Sequence, residues 1–537
     1  MRPSPPKKCL PGPAGFFYDP AAIPVPATLA NRPAIGPPMP LPTVTTARLP
    51  VGRGAVNDVA VLARAIPLFP VDREMRLAVV ADARAAAARR IGWAACFLKA
   101  YALVARETPL LRSWLVGRLR PRLATASQSV ATLAINRADG AYLWDVDGNR
   151  YIDFLQAGGP TVLGSNYGPV REKVLELLNS CGPCTGLFHE YELKLAQEIN
   201  RHMPSIEMFR MLGSGTEAVL AAIRAARTFT DKVKIIKVGG AYHGWSDQVV
   251  FALHIPGTGA LEAVGIPRGC NKDTLEFFPN DLEALASLLD KNEDKGGTAC
   301  VIVEPFGPES GTRPNRWDFN QKVRELCDAH GTLMIFDEVV TGFRVGLGGA
   351  QGYFGIKPDL TTFGKCIAGG YPAAGGLGGR RDVMSVLAAG VEAGKARAYV
   401  GGTLSANPLS CVAGYWSLVE TERTQACQKA GRAGDLLAAG IQDMFDRKGL
   451  PFVAWNHSSI VHIETAGAML VDIMNPNAFE EAKARKVMME HMGAAYTAEG
   501  IITIAGSRLY TSLADTDDVV DAALAGFNRV FDGIEGV

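Results

Sequence analysis

Apolar and polar positions follow three styles along the chain. Residues 1–45 keep no period at all: prolines recur in PSPP, PGP, IPVP and IGPPMPLP, which excludes regular helix and favours extended or polyproline backbone, so the segment reads as an arm. From about 57 to 118 the spacing becomes helical in VNDVAVLARAI, EMRLAVVADARAAAARRIGWAACFLKAYALVARE and LLRSWLVGRL, and residues 46–130 are expected to form a helical amino-terminal extension. The style changes again at 141, where AYLWDVDGNRYIDF sets two alternating runs around Asp147-Gly148. That is a hairpin signal.

The hairpin belongs to a segment, 131–180, that opens the main fold. In 181–403, short apolar runs (VKIIKV, ACVIVEP, TLMIFDEV) alternate with amphipathic stretches (DLEALASLLDK, NQKVRELCDAH). Continuous apolar runs suit strands buried on both faces, and the alternation predicts an α/β fold with a mainly parallel sheet flanked by helices. Residues 404–537, with helices expected at 408–447 and 478–498, read as a smaller α+β domain. No fixed-period repeat is present.

With 537 residues, 48% hydrophobic and 20% charged, the chain can bury a large core. Its formal net charge of +1 gives no electrostatic argument for nucleic acid or an anionic membrane. The longest apolar stretches are interrupted by charge and too short to span a bilayer, and MRPSPPKKCLPGPAG lacks a secretory apolar region. A cytoplasmic protein is expected. Ten cysteines are too sparse for a disulfide scaffold. Cys181-Gly-Pro-Cys184 has redox-motif spacing, yet it follows a helix-like run and no second CxxC completes a zinc site.

Candidate chemistry gathers in the α/β region. GSGTEAVLAAIRAARTFT (213–230) opens with glycines and Ser214-x-x-Glu217, a capping box whose free amides suit a phosphate. Tyr242 and His243 follow a strand in VGGAYHGW, where an aromatic ring can stack on a flat heterocycle or simply fill core. Asp337 and Glu304 end apolar runs, at the strand ends where parallel sheets bind ligands. Lys365 stands among small and apolar neighbours in TTFGKCIAGGYP. Burial there lowers an ammonium pKa and frees the amine. Together these parts match a pyridoxal 5'-phosphate enzyme, with Lys365 forming the Schiff base and Asp337 facing the pyridine nitrogen.

MLGSGTEA, AYHG, FDEVVTGFR, PDLTTFGKCIAGGYP, GGTLSANPLSCVAG and YTSLADTDDVVDAAL resemble the class III aminotransferases of fold type I, in particular glutamate semialdehyde aminomutase and its relatives, from about 141 to 535. The resemblance implies a homodimer with active sites at the subunit interface. It implies Ser214, Gly215 and Thr216 at the phosphate, Thr403 supplied by the neighbouring subunit, Tyr242 on the ring, Val339 on the opposite face and Glu304 in support. Lys365 would also be the base that moves the substrate proton. Further upstream, FLKAYALVARETPLLRSW resembles part of the acyltransferase domain of 2-oxoacid dehydrogenase complexes, without that family's catalytic histidine motif.

Three positions depart from the aminomutase pattern. The Ser-Pro-Val-Arg stretch that holds the substrate carboxylate is missing, and Arg122 falls near its place. Gly158 replaces a tryptophan and opens the pocket. Arg508, in AGSRLYTSLAD, replaces a non-basic residue; it is either a new carboxylate anchor or a solvent-facing side chain. Intermolecular transamination by alternating half-reactions is therefore expected first, aminomutase chemistry second, and a non-catalytic scaffold with a vestigial site last.

Overall fold

The computed structural model describes residues 44–48, 113–116, 122–126, 134–260, 263–267, 269–388, 397–465 and 478–534, the first three spans and 478–485 without their side chains. The backbone divides into two compact units, the second of which is Leu133–Val537 with residues 88–90.

In the first unit β1 (Val44–Arg48), β2 (Ser113–Val116) and β3 (Arg122–Ala126) form an antiparallel sheet in the order β1-β3-β2. This corrects the helical expectation for 46–130 at three places: Val44–Arg48 runs into its start, Ser113–Val116 lies inside LLRSWLVGRL and Arg122–Ala126 follows it. Trp114 and Val116 are residue types that favour strands, and cross-strand pairing of Trp114 with Ala124 outweighs the helical spacing. The remaining helical stretches, the acyltransferase-like one included down to Arg112, lie outside the described residues, as does most of the proline-rich arm.

The second unit carries the other fourteen strands: β4 (Ile135–Asp139), β5 (Tyr142–Asp145), β6 (Arg150–Asp153), β7 (Met208–Leu212), β8 (Lys234–Val238), β9 (Thr274–Phe277), β10 (Thr298–Val303), β11 (Leu333–Asp337), β12 (Leu360–Gly364), β13 (Gly375–Gly379), β14 (Val453–His457), β15 (Ile460–Glu464), β16 (Ile501–Ile502) and β17 (Arg508–Tyr510). Its centre is a seven-stranded sheet in the order β7-β13-β12-β11-β10-β8-β9. All neighbours are parallel except β13, which runs antiparallel to both β7 and β12. Every residue of β10 and β11 is buried, as their unbroken apolar runs require.

The hairpin β5–β6 forms around a turn organised by Asp145, whose carboxylate accepts from Asp147 N at 3.0 Å, Asn149 N at 2.8 Å and Tyr151 Oη at 2.9 Å. Its sheet, β16-β6-β5-β4, includes a strand from near the carboxyl terminus, with β16 parallel to β6. One apolar cluster accordingly mixes Ile152 and Phe154 with Leu437, Ile441, Tyr496 and Phe527. The carboxyl-terminal region also holds helices Pro408–Thr424, Ala426–Lys448 and Ala478–Ala498, as the spacing predicts, and a third small sheet, β14-β15-β17. Among the described residues no helix is long and apolar enough to cross a membrane.

Candidate active site

Helix Gly215–Thr230 begins at Ser214, whose side chain accepts from Glu217 N at 3.2 Å while Glu217 accepts from Gly213 N at 2.8 Å. The capping box read from the sequence is present. Its first-turn N–H groups, at Gly215 and Thr216, have no intrahelical acceptor by construction. This helix end sits at backbone distance from its surroundings: a Cβ on Gly215 would stand 2.9 Å from Val339, and one on Gly375 would collide with Ser214 O. Gly244 closes the other side, in left-handed backbone at φ 85° where a Cβ would meet Thr216 Oγ1 at 2.5 Å.

Asp337 ends β11 and is 5% exposed. Its Oδ1 accepts from Val339 N at 3.1 Å and Thr362 Oγ1 at 3.2 Å, and its Oδ2 lies 2.6 Å from His243 Nδ1. Burial depresses the pKa of His243, so the neutral ring carries its proton on the nitrogen shared with Asp337. His243 Nε2 is buried without a partner among the described residues.

Lys365 follows β12 in left-handed backbone at φ 46° and begins a 3-10 turn, Lys365–Ala368. Burial pulls its ammonium pKa down against the pull of Asp337, which favours the neutral amine. Its stem runs beside Gly159, where a Cβ would stand 3.4 Å from Lys365 Cδ. The loop carrying Gly159 is fixed from beneath by buried Arg344, which donates to Gly159 O and to Thr511 O, each at 2.8 Å.

Glu304, just beyond β10, accepts from Tyr242 N at 3.0 Å, Glu309 N at 2.8 Å and Ser310 N. Burial, assisted by the charge of Asp337, pushes its carboxyl up to about 7. The Tyr242 ring itself is 46% exposed.

A cavity of about 600 Å³ joins these groups: Ser214, Gly215, Thr216, Tyr242, His243, Glu304, Asp337, Val339 and Lys365 all line it, with Gly158 and Arg508 on its wall. Thr403 is exposed and does not line it. Arg122 lies on β3 in the first unit, and its side chain is outside the described residues. For Arg508 the structure does not support the solvent-facing alternative: the side chain is only 17% exposed, its Nη2 paired with Glu309 Oε2 at 2.6 Å and its Nη1 donating to Glu309 O at 3.1 Å. Sequence reasoning missed Glu309, His254 and Tyr510, which also line the cavity. The Gly-Pro-Glu-Ser-Gly punctuation around Glu309 was the available signal.

A helix start with free amides, an aromatic ring, a strand-end aspartate and a half-buried lysine facing one cavity on a mainly parallel sheet define a pyridoxal-phosphate enzyme of fold type I. The chain belongs to the class-III aminotransferases, whose family model matches residues 124–530. It is 40% identical over 353 residues to glutamate-1-semialdehyde 2,1-aminomutase 1 of Lachnoclostridium phytofermentans, covering 65% of this chain and 79% of that one. A glutamate-1-semialdehyde 2,1-aminomutase of Legionella pneumophila is 44% identical over 322 residues, covering 59% and 72% respectively. Among solved structures, an omega-transaminase from Sphaerobacter thermophilus superposes with a TM-score of 0.66 at 26% identity, over 82% of this chain and 98% of that one. A β-phenylalanine aminotransferase from Variovorax paradoxus gives 0.64 at 28% identity, over 81% and 93%. The scaffold reading loses its ground, since the chemistry-bearing residues are assembled in one cavity.

The residues fit pyridoxal phosphate. The glycine-lined helix start leaves room that a Cβ would fill, and the buried Asp337–His243 pair lining the cavity offers a carboxylate of the kind a protonated ring nitrogen requires.

Proposed function

We propose that the chain moves an amino group by way of pyridoxal phosphate held through Lys365, in a reaction of the aminomutase type that shifts the group within one molecule. The carrying observation is the buried amine of Lys365 sharing a cavity with the Asp337–His243 pair. The names of relatives 40% and 44% identical support the mutase form. Intermolecular transamination, the first expectation from the sequence, has narrower support: a Cβ on Gly158 would meet nothing within 4 Å, so the wall is open beside the cavity.

Bound pyridoxal phosphate supplies an electron sink for a substrate carbanion. The protein's residues supply the rest. Ser214, Gly215 and Thr216 hold the phosphate at a positive helix end. Asp337, oriented by Thr362, Val339 N and His243, would keep a ring nitrogen protonated through its opposite charge. Tyr242 and Val339, which both line the cavity, would hold the ring between them. Lys365, whose amine burial pulls toward the neutral form, takes and returns the substrate proton. Arg508 anchors a substrate carboxylate with its two-donor fork, the part played in aminomutases by the missing arginine stretch. The working form is a homodimer in which Thr403 serves the neighbouring site.

Adding glutamate semialdehyde to the purified holoenzyme without any carbonyl acceptor tests the reading. Rapid isomerisation is expected. Turnover only with a separate acceptor, and parallel lines when donor and acceptor are varied, would replace it with transamination.

A further inference from the structure

The registers of the small sheet put Trp455 of β14 opposite His462 of β15, and His462 opposite Arg508 of β17. Three side chains with N–H groups thus stand in one row across three strands. They reach three successive carbonyls of the turn Gly307–Gly311: Arg508 Nη1 to Glu309 O at 3.1 Å, His462 Nε2 to Ser310 O at 3.3 Å and Trp455 Nε1 to Gly311 O at 3.2 Å. A carbonyl only accepts, so His462 carries its proton on Nε2, and its Nδ1 faces Thr312 Oγ1 at 3.2 Å. Trp455 and His462 stack with centroids 5.1 Å apart and planes 16° from parallel. On the other side of the turn Glu304 accepts from Glu309 N and Ser310 N.

The turn needs such holding. Glu309 and Ser310 occupy left-handed backbone at φ 50° and 55°, which non-glycine residues keep only when their surroundings enforce it. Its result is to hold Glu309 Oε2 2.6 Å from Arg508 Nη2, at the wall of the cavity that contains Lys365.

We propose that Trp455 and His462 are specificity-positioning residues: they fix Glu309 against Arg508, so that a substrate carboxylate must displace an internal one while an uncharged substrate end need not. The inference rests on Arg508 being the carboxylate anchor. Glu309 Oε1 also lies 3.2 Å from His254 Nε2, so loosening the row lets Glu309 swing from Arg508 toward His254, and Arg508 then takes external carboxylates more readily.

The test uses the holoenzyme and the variants H462F and W455F, which keep an aromatic ring but lose the N–H, with H462Q restoring a donor. Amide hydrogen exchange across residues 305–312 should quicken about tenfold in H462F and W455F, the scale of one lost hydrogen bond, and return toward wild type in H462Q. Glutarate, titrated by the visible spectrum, should bind about fivefold tighter to H462F and W455F than to wild type, while butylamine binding is unchanged. Unchanged exchange in both variants overturns the proposal, as does quickened exchange with unaltered glutarate affinity. Equal glutarate affinity in wild type and R508Q removes the anchor and the specificity role with it. That failure of the underlying reading is recognisable because the exchange signature persists.

Discussion

Lys365 combines a strained backbone with a buried amine, and both serve one atom: the left-handed turn after β12 aims Nζ across the cavity toward Asp337 and Glu304, whose charges it feels. Borohydride treatment of the holoenzyme followed by peptide mapping is expected to put a pyridoxyl mass on Lys365; label on another lysine removes the assignment. Asp337→Asn keeps the hydrogen bonds from Val339 N and Thr362 but loses the charge, so turnover should fall at least ~10²-fold with the fold intact by circular dichroism. Asp515 gives a stability test away from the chemistry. Burial pushes its carboxyl up to about 7, although Ser512 donates to it through N at 2.6 Å and Oγ at 2.9 Å. A folded pKa above the unfolded value means the native state binds the extra proton, so Asp515 lowers stability as pH rises from about 4 to about 7 and no further above. The gain in thermal midpoint from Asp515→Asn should grow over that interval and then level off. A gain independent of pH would contradict the raised pKa.

Among the elements, β13 is the least forgiving. Its sequence, Gly-Gly-Leu-Gly-Gly, leaves Leu377 as the one side chain it packs into the apolar cluster of helix Gly215–Thr230, and Gly375 abuts the backbone of Ser214. Gly375→Ala should push the phosphate-binding turn aside. Overpacking of this kind costs about 1–3 kcal/mol, so affinity for pyridoxal phosphate, measured by fluorescence titration, should drop about tenfold. Buried strands such as β10 and β11 were legible because both faces are covered and the apolar run is unbroken. The capping box at Ser214 was legible because both partners lie within one turn. β2 was not, since its strand character comes from pairing with β3 rather than from its own spacing. Nor was the Glu309–Arg508 pair, whose members are brought together only by the docking of β17 beside the turn after β10. Local periodicity carries information about local partners, and this contact joins segments far apart in the chain.

For the whole molecule, the compact unit from Leu133 contains every described residue assigned to the cofactor. A chain starting at Leu133 is expected to bind pyridoxal phosphate with the full-length spectrum and to keep near wild-type turnover. Spectrum without turnover would give the amino-terminal unit, and Arg122 with it, a part in substrate binding. The sheet that joins β6 to β16 adds a constraint on how the chain can be made. Ile152 pairs with Ile501, and Ile152 N donates to Gly500 O, so β6 lacks this neighbour until synthesis has reached Ile501. During synthesis the hairpin must wait with an open edge, and edges of that kind recruit other chains. Ribosomes stalled before residue 500 would therefore carry the aggregation-prone form of this enzyme, and the burden on chaperones lasts until β16 has been made.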